Sequence, residues 1–160
     1  MEEGLSLEKI IGLGEIEAES LNGLTLAYIG DAVYEIILRT YMIAHGSKRV
    51  EKLHKHVTAL VNAGAQSRLI GLIEDKLTEE ELVIYKRGRN SKTITSAKNQ
   101  SIADYRRATG LEALMGYLYL KKDFERIAEL LDEALPMLNS MLRESAQGNV
   151  RLEAEEGEAL

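Results

Sequence analysis

The chain has 160 residues, 45% hydrophobic and 29% charged, the size and balance of one ordinary soluble domain and not of a disordered segment. It contains no cysteine, which excludes disulfide scaffolds, thiolate zinc sites and cysteine nucleophiles, and no apolar run approaches the ~20 residues that span a bilayer. The formal net charge of −6, taken as an average, speaks against a nucleic-acid partner.

Residues 1–20 read as an acidic extension (six acids and one base over residues 1–23), without the basic segment that opens a secretory leader. A cytoplasmic protein is expected. From Thr25 to Ala44, apolar residues recur at Leu26, Ile29, Val33, Ile37 and Tyr41, a spacing that makes one buried stripe on a helix. Gly46 suits the end of that helix and Ser47 the start of the next, which carries Val50, Leu53, Val57 and Leu60 until Gly64 interrupts it. A shorter segment with Leu69, Ile70 and Ile73 runs to Leu77. Thr78-Glu79-Glu80-Glu81 has the form of a capping box and opens a helix ending near Gly88. Residues 88–100 are polar, basic and aperiodic, hence a loop. Ser101 with Asp104 opens a helix through Leu111, Leu114, Met115 and Leu118 to Lys121. Asp123 caps a last helix with Ile127, Leu130, Leu131, Leu135, Leu138 and Leu142, which Pro136 is expected to kink or split. Residues 144–160 hold five acids and one base without periodicity and read as a disordered acidic tail. No strand alternation occurs, so an all-α fold is predicted, its domain spanning residues 21–143.

The average charge hides an asymmetry. Lys86, Arg87, Arg89, Lys92, Lys98, Arg106 and Arg107 lie in one stretch with Asp104 as its only acid, seven bases against one, or +6. Phosphate binding follows the local field, so this stretch competes with the bland reading of a solvated loop face. Tyr105, beside Arg106 and Arg107, is the aromatic best placed to touch RNA. Tyr28, Tyr34, Tyr41, Tyr117 and Tyr119 sit on periodic helices and are expected to pack.

Two places carry chemistry. Gly30-Asp31 follows a largely apolar stretch, and Glu112 is the only acid from Tyr105 to Lys122. A glycine inside a helix costs roughly 1 kcal/mol against alanine, so Gly30 marks close packing or close approach of a partner. An acid among apolar neighbours must pair, hydrogen-bond or hold a metal. If Asp31 and Glu112, 81 residues apart, converge, they could share one hard cation such as magnesium. The competing reading pairs each with an arginine, Arg39 or Arg106 for instance. His54 and His56 point to different helix faces, which disfavours a zinc site with His45. No Walker loop, GxGxxG or GxSxG motif is present.

These residues carry a resemblance. Leu26-Ala27-Tyr28-Ile29-Gly30-Asp31-Ala32-Val33 resembles the signature helix of the ribonuclease III family, and Glu112-Ala113-Leu114-Met115-Gly116-Tyr117 resembles its second active-site helix. Lys86-Arg87-Gly88-Arg89-Asn90, the short loop ending Lys98-Asn99, and Tyr117-Leu118-Tyr119-Leu120 are similar to the mini group of that family, which is the catalytic domain alone. The resemblance covers residues 21–142. It implies an all-helical homodimer that cuts double-stranded RNA with Mg2+, each subunit supplying one active centre, with Asp31 and Glu112 catalytic and metal-holding. The substrate class implied is the double-stranded stalk of precursor large-subunit (23S) ribosomal RNA, with a ribosomal protein on that stalk as a candidate partner and no membrane association.

The chain departs from the larger members, which carry acids four and seven residues before the signature Asp and an Asp three before the catalytic Glu. Here those positions are Ala27, Leu24 and Thr109. Glu35 and Asp104 are candidates to contribute through water. The 17 residues after Arg143 leave no room for a separate RNA-binding domain, so RNA contact is expected from Lys86, Arg87, Arg89, Asn90, Lys92, Lys98, Arg106 and Arg107. Two rival readings are a non-catalytic duplex-binding dimer and a helical protein whose basic patch meets an acidic partner.

Overall fold

A computed structural model of the chain describes residues 7–12, 14–45, 49–91 and 101–158, with side chains up to Glu144, that of Glu8 excepted. The helices are α1 (Leu7–Ile10), α2 (Gly23–His45), α3 (Val50–Val61), α4 (Ala63–Ile73), α5 (Glu79–Arg89), α6 (Ile102–Leu120) and α7 (Phe124–Glu158), with 3-10 turns at Ala18–Ser20 and Glu74–Lys76. No strand occurs among the described residues, as the all-α prediction requires, and no described helix is long and apolar enough to cross a membrane. Gly46, Ser47 and residues 92–100, including Lys92 and Lys98, lie outside the described residues.

The polar boundaries follow local chemistry. Asn22 opens α2, its Oδ1 accepting the Thr25 amide at 2.8 Å. The capping box at α5 forms as expected: Thr78 Oγ1 accepts from Glu81 N at 3.1 Å, and Glu81 Oε1 accepts from Thr78 N at 2.9 Å. Ser101 caps α6 through the Asp104 amide at 3.0 Å. Gly64 does not interrupt a helix; the break falls at Asn62. That one side chain donates to Ala59 O at 2.9 Å, finishing α3, and accepts from Ala65 N at 2.9 Å, opening α4. Pro136 does not split the last helix either. It is exposed, so the carbonyl that its missing N–H leaves unpaired one turn earlier, on exposed Asp132, is left to water. The backbone of α7 continues past Leu142, where the apolar pattern ends, to Glu158.

Helix α6 is the hub. Every residue from Ala108 to Leu118 is buried except Glu112, which is half-buried. A helix apolar on all sides belongs at the centre of a bundle. Around it pack Leu26, Tyr34 and Leu38 of α2, Leu69, Ile70 and Ile73 of α4, Ile84 and Tyr85 of α5, and Leu130 of α7, which together form one core. The buried face of α2 is broader than the predicted stripe, and shifted. It comprises Gly23, Leu26, Ala27, Gly30, Val33, Tyr34, Leu38 and Met42, while Ile29, Ile37 and Tyr41 are half-buried. Tyr28 does not pack; it is 84% exposed. Ala18, assigned by sequence to the extension, is 1% exposed within the core.

Candidate active site

The crossing of α2 and α6 makes the site. A Cβ added at Gly30 would lie 1.6 Å from the Glu112 carbonyl oxygen, and one added at Gly116 would lie 2.1 Å from the Leu26 carbonyl oxygen. The two helices therefore touch backbone to backbone, which only glycine permits at these two positions. Asp31 follows Gly30 directly, so the same contact sets its carboxylate near Glu112, close enough for its charge to act on that group. The convergence that the sequence left open is present.

Neither acid has a basic partner among the described residues. Among the described residues no Lys or Arg lies within ion-pair distance of Asp31 or Glu112, so the arginine-pairing reading does not hold. Arg39 instead bonds Glu35, one turn along α2, through both Nε at 3.1 Å and Nη2. Asp31 is exposed and Glu112 half-buried, so the pair sits at an opening and not within the core. Burial, with the charge of Asp31 adding to it, pushes Glu112 up to about 7, against the opposing hydrogen bond from Gln66. Two carboxylates held this close, with no Lys or Arg partner among the described residues, form an environment that a divalent cation resolves. Magnesium takes one or two carboxylates and keeps several waters, and these two carboxylates fit it. No group of three or more His, Asp and Glu placed to hold a metal occurs among the described residues. Among the described residues, the carboxylates placed to hold it are Asp31 and Glu112.

Gln66 and Ser67 escaped the sequence reading, and Tyr34, expected to pack, does so. Gln66, 1% exposed on α4, donates Nε2 to Glu112 Oε1 at 3.2 Å. Nothing in the run Val61-Asn62-Ala63-Gly64-Ala65-Gln66, which holds two amides, singles it out. Tyr34 lies near enough to Glu112 to feel its charge, and its buried hydroxyl donates to Leu60 O at 3.2 Å. Ser67, next to Gln66, holds Asp104 with help from Ser101, and these hydroxyls keep that carboxyl below its ordinary value. Asp104 and Glu35 thus both have other partners.

The basic residues divide. Lys86, Asn90 and Arg106 are exposed. Arg89 lies over the Tyr85 ring at 5.6 Å from its centroid and reaches Asn90 Oδ1 at 3.2 Å. Arg107 is half-buried near Gly71. Arg87 is tied inward: its Nη1 donates to the carbonyls of Glu19 and Leu21, each at 2.9 Å, bolting the end of α5 to the segment before α2. Tyr105 is half-buried.

Comparison with known proteins agrees with this architecture. The Ribonuclease III domain family matches residues 24–123. Mini-ribonuclease 3 of Clostridium tetani is 49% identical over 132 residues, covering 82% of this chain and 85% of that protein. Mini-ribonuclease 3 of Enterococcus faecalis is 50% identical over 116 residues, covering 71% and 88%. A crystal structure of a Fusobacterium nucleatum protein superimposes with a TM-score of 0.64 at 39% identity, covering 69% of this chain and 85% of that one.

Proposed function

The chain belongs to the ribonuclease III family, in its Mini-ribonuclease 3 group, and is an endoribonuclease; from that membership we propose that it cleaves double-stranded RNA with Mg2+, its substrate being the stalk of precursor 23S ribosomal RNA. The observation that carries the reading is the Asp31–Glu112 couple at the α2–α6 crossing, which has no Lys or Arg partner among the described residues. These two carboxylates would hold the cation. Bound there, it supplies an activated water and neutralises charge building on the phosphate.

The remaining work falls to the chain. Gln66 holds one oxygen of Glu112. Lys86, Arg89, Asn90, Arg106 and Arg107, with Lys92 and Lys98, would take the RNA backbone, because duplex RNA is read by shape, phosphate and 2′-hydroxyl. Arg87 would contribute through its second nitrogen, since Nη1 is occupied. Dimerisation is supported by the outward face of α2, where Leu24, Tyr28, Ala32 and Ile36 recur every four residues and are all exposed. A second copy covering that face, next to Asp31, would set two centres near one duplex and cut both strands. The same reading puts the enzyme in the cytoplasm, with a ribosomal protein on the stalk as a candidate partner.

The test incubates the protein with a precursor 23S stalk and, separately, an arbitrary duplex of equal length, with Mg2+ or with chelator. Cutting of both strands, dependent on Mg2+ and faster on the stalk, is expected. Equal rates on the two duplexes would remove the substrate assignment, and binding without cutting would leave a non-catalytic duplex binder.

A further inference from the structure

Gln66 is an unusual residue to bury. An amide taken from water without partners is costly to bury, yet it sits at 1% exposure on α4 with its Nε2 on the Glu112 carboxylate. The preceding turn explains its aim: Asn62 fixes the first turn of α4 through the Ala65 amide, and Gln66 is the next residue, facing α6. Buried on α4, the side chain is confined by packing, so its amide is pre-set and not recruited.

The chemistry of the donor decides its role. A Lys or Arg at this place would orient Glu112 equally well but would add a positive charge against any cation and neutralise the pair. A primary amide donates one N–H to a carboxylate oxygen and carries no charge. It fixes the carboxylate without adding positive charge to the couple. Of the two Glu112 oxygens, Oε1 is the one that Gln66 engages.

We infer that Gln66 is a positioning residue of the catalytic centre, a neutral donor that locks the Glu112 carboxylate in its cation-holding orientation. The inference rests on the proposed metal reading of Asp31 and Glu112. Gln66→Met keeps an unbranched side chain of similar length and removes the donor; Gln66→Asn keeps the amide and shortens its reach. The full-length protein and both variants are titrated with MgCl2 by calorimetry, melted in metal-free buffer, and assayed on duplex RNA across Mg2+ concentrations.

Both variants are expected to fold and to bind Mg2+ about 10-fold more weakly, within the range that loss of such outer partners causes. Half-saturating Mg2+ for cleavage should rise in parallel, while the rate at saturating Mg2+ stays within about 3-fold of wild type. Folded variants with unchanged Mg2+ affinity would overturn the inference and leave Gln66 a packing residue. So would a lost rate at saturating Mg2+ with affinity intact, or the collapse of both variants. Wild-type protein that binds no Mg2+ would instead sink the metal reading itself.

Discussion

Glu112 and Glu81 are two partly enclosed carboxylates with opposite fates, and the difference is their neighbours. Glu112 has burial and Asp31 against it and only an amide for it, and it rises to about 7. Glu81 is also raised by burial, but the Arg126 guanidinium and the Thr78 amide outweigh that and hold it below the ordinary carboxylate value. The signs differ accordingly. Folded Glu112 binds its proton more tightly than the unfolded chain does, so its contribution falls as pH rises from about 4.5 to about 7. Glu81 contributes above its unfolded value and loses that contribution as pH falls through its lower folded one. Melting metal-free protein between pH 4.5 and 8 should show Glu112→Gln flatter than wild type from about pH 4.5 to about 7, the window between the unfolded and folded values. Arg126 bonds both Glu81 oxygens, at 2.8 and 2.9 Å, and Lys76 O at 2.8 Å, so Arg126→Ala strands a buried carboxylate. A loss of about 3 kcal/mol in denaturant unfolding is expected, the low end for a buried pair because Arg126 is partly exposed. At this scale the acids were legible as isolated charges in apolar stretches. Gln66 was not, because an uncharged amide announces neither cost nor partner until its burial is known.

Helices α2 and α6 owe their approach to glycine. Gly30→Ala would drive a methyl into the Glu112 carbonyl, an obstacle of backbone that no rotamer change relieves. A destabilisation above ~3 kcal/mol and loss of cleavage are expected, whereas Gly71→Ala, whose Cβ would meet only the end of the Arg107 side chain at 3.1 Å, should melt near wild type. Comparable melting of the two variants would contradict the crossing described. Element boundaries were readable where a side chain caps a backbone, at Thr78, Ser101 and Asp123. The face of α2 was not. Periodicity singles out the largest apolar residues, but the buried side includes Gly23, Ala27 and Gly30, small residues chosen for closeness to α5 and α6. The break between α3 and α4 is hidden for a similar reason: Gly64 suggests it, but the Asn62 amide that serves two helices makes it.

A single copy leaves Tyr28 84% exposed beside Asp31, an apolar cost that the proposed dimer removes. Tyr28→Glu should shift sedimentation from dimer to monomer while preserving helicity, and a wild-type monomer would end the dimer proposal. The net charge of −6 coexists with an exposed basic set, so duplex binding should weaken steeply with salt. Removing Lys86, Arg89 and Arg106 together should lower the log–log slope by about three, one for each phosphate no longer neutralised. Arg87→Ala is a poorer probe, since it also releases the Glu19 and Leu21 carbonyls. The helical bundle and its order were legible in the sequence. The meeting of residues 81 positions apart was not, because nothing in one dimension encodes a helix crossing. The most direct measurement compares wild-type protein with Asp31→Asn and Glu112→Gln on duplex RNA in Mg2+, following cleavage and binding together. Cleavage abolished in both variants with duplex binding retained is the expected result. Either variant cutting at the wild-type rate would remove the carboxylate couple from the chemistry.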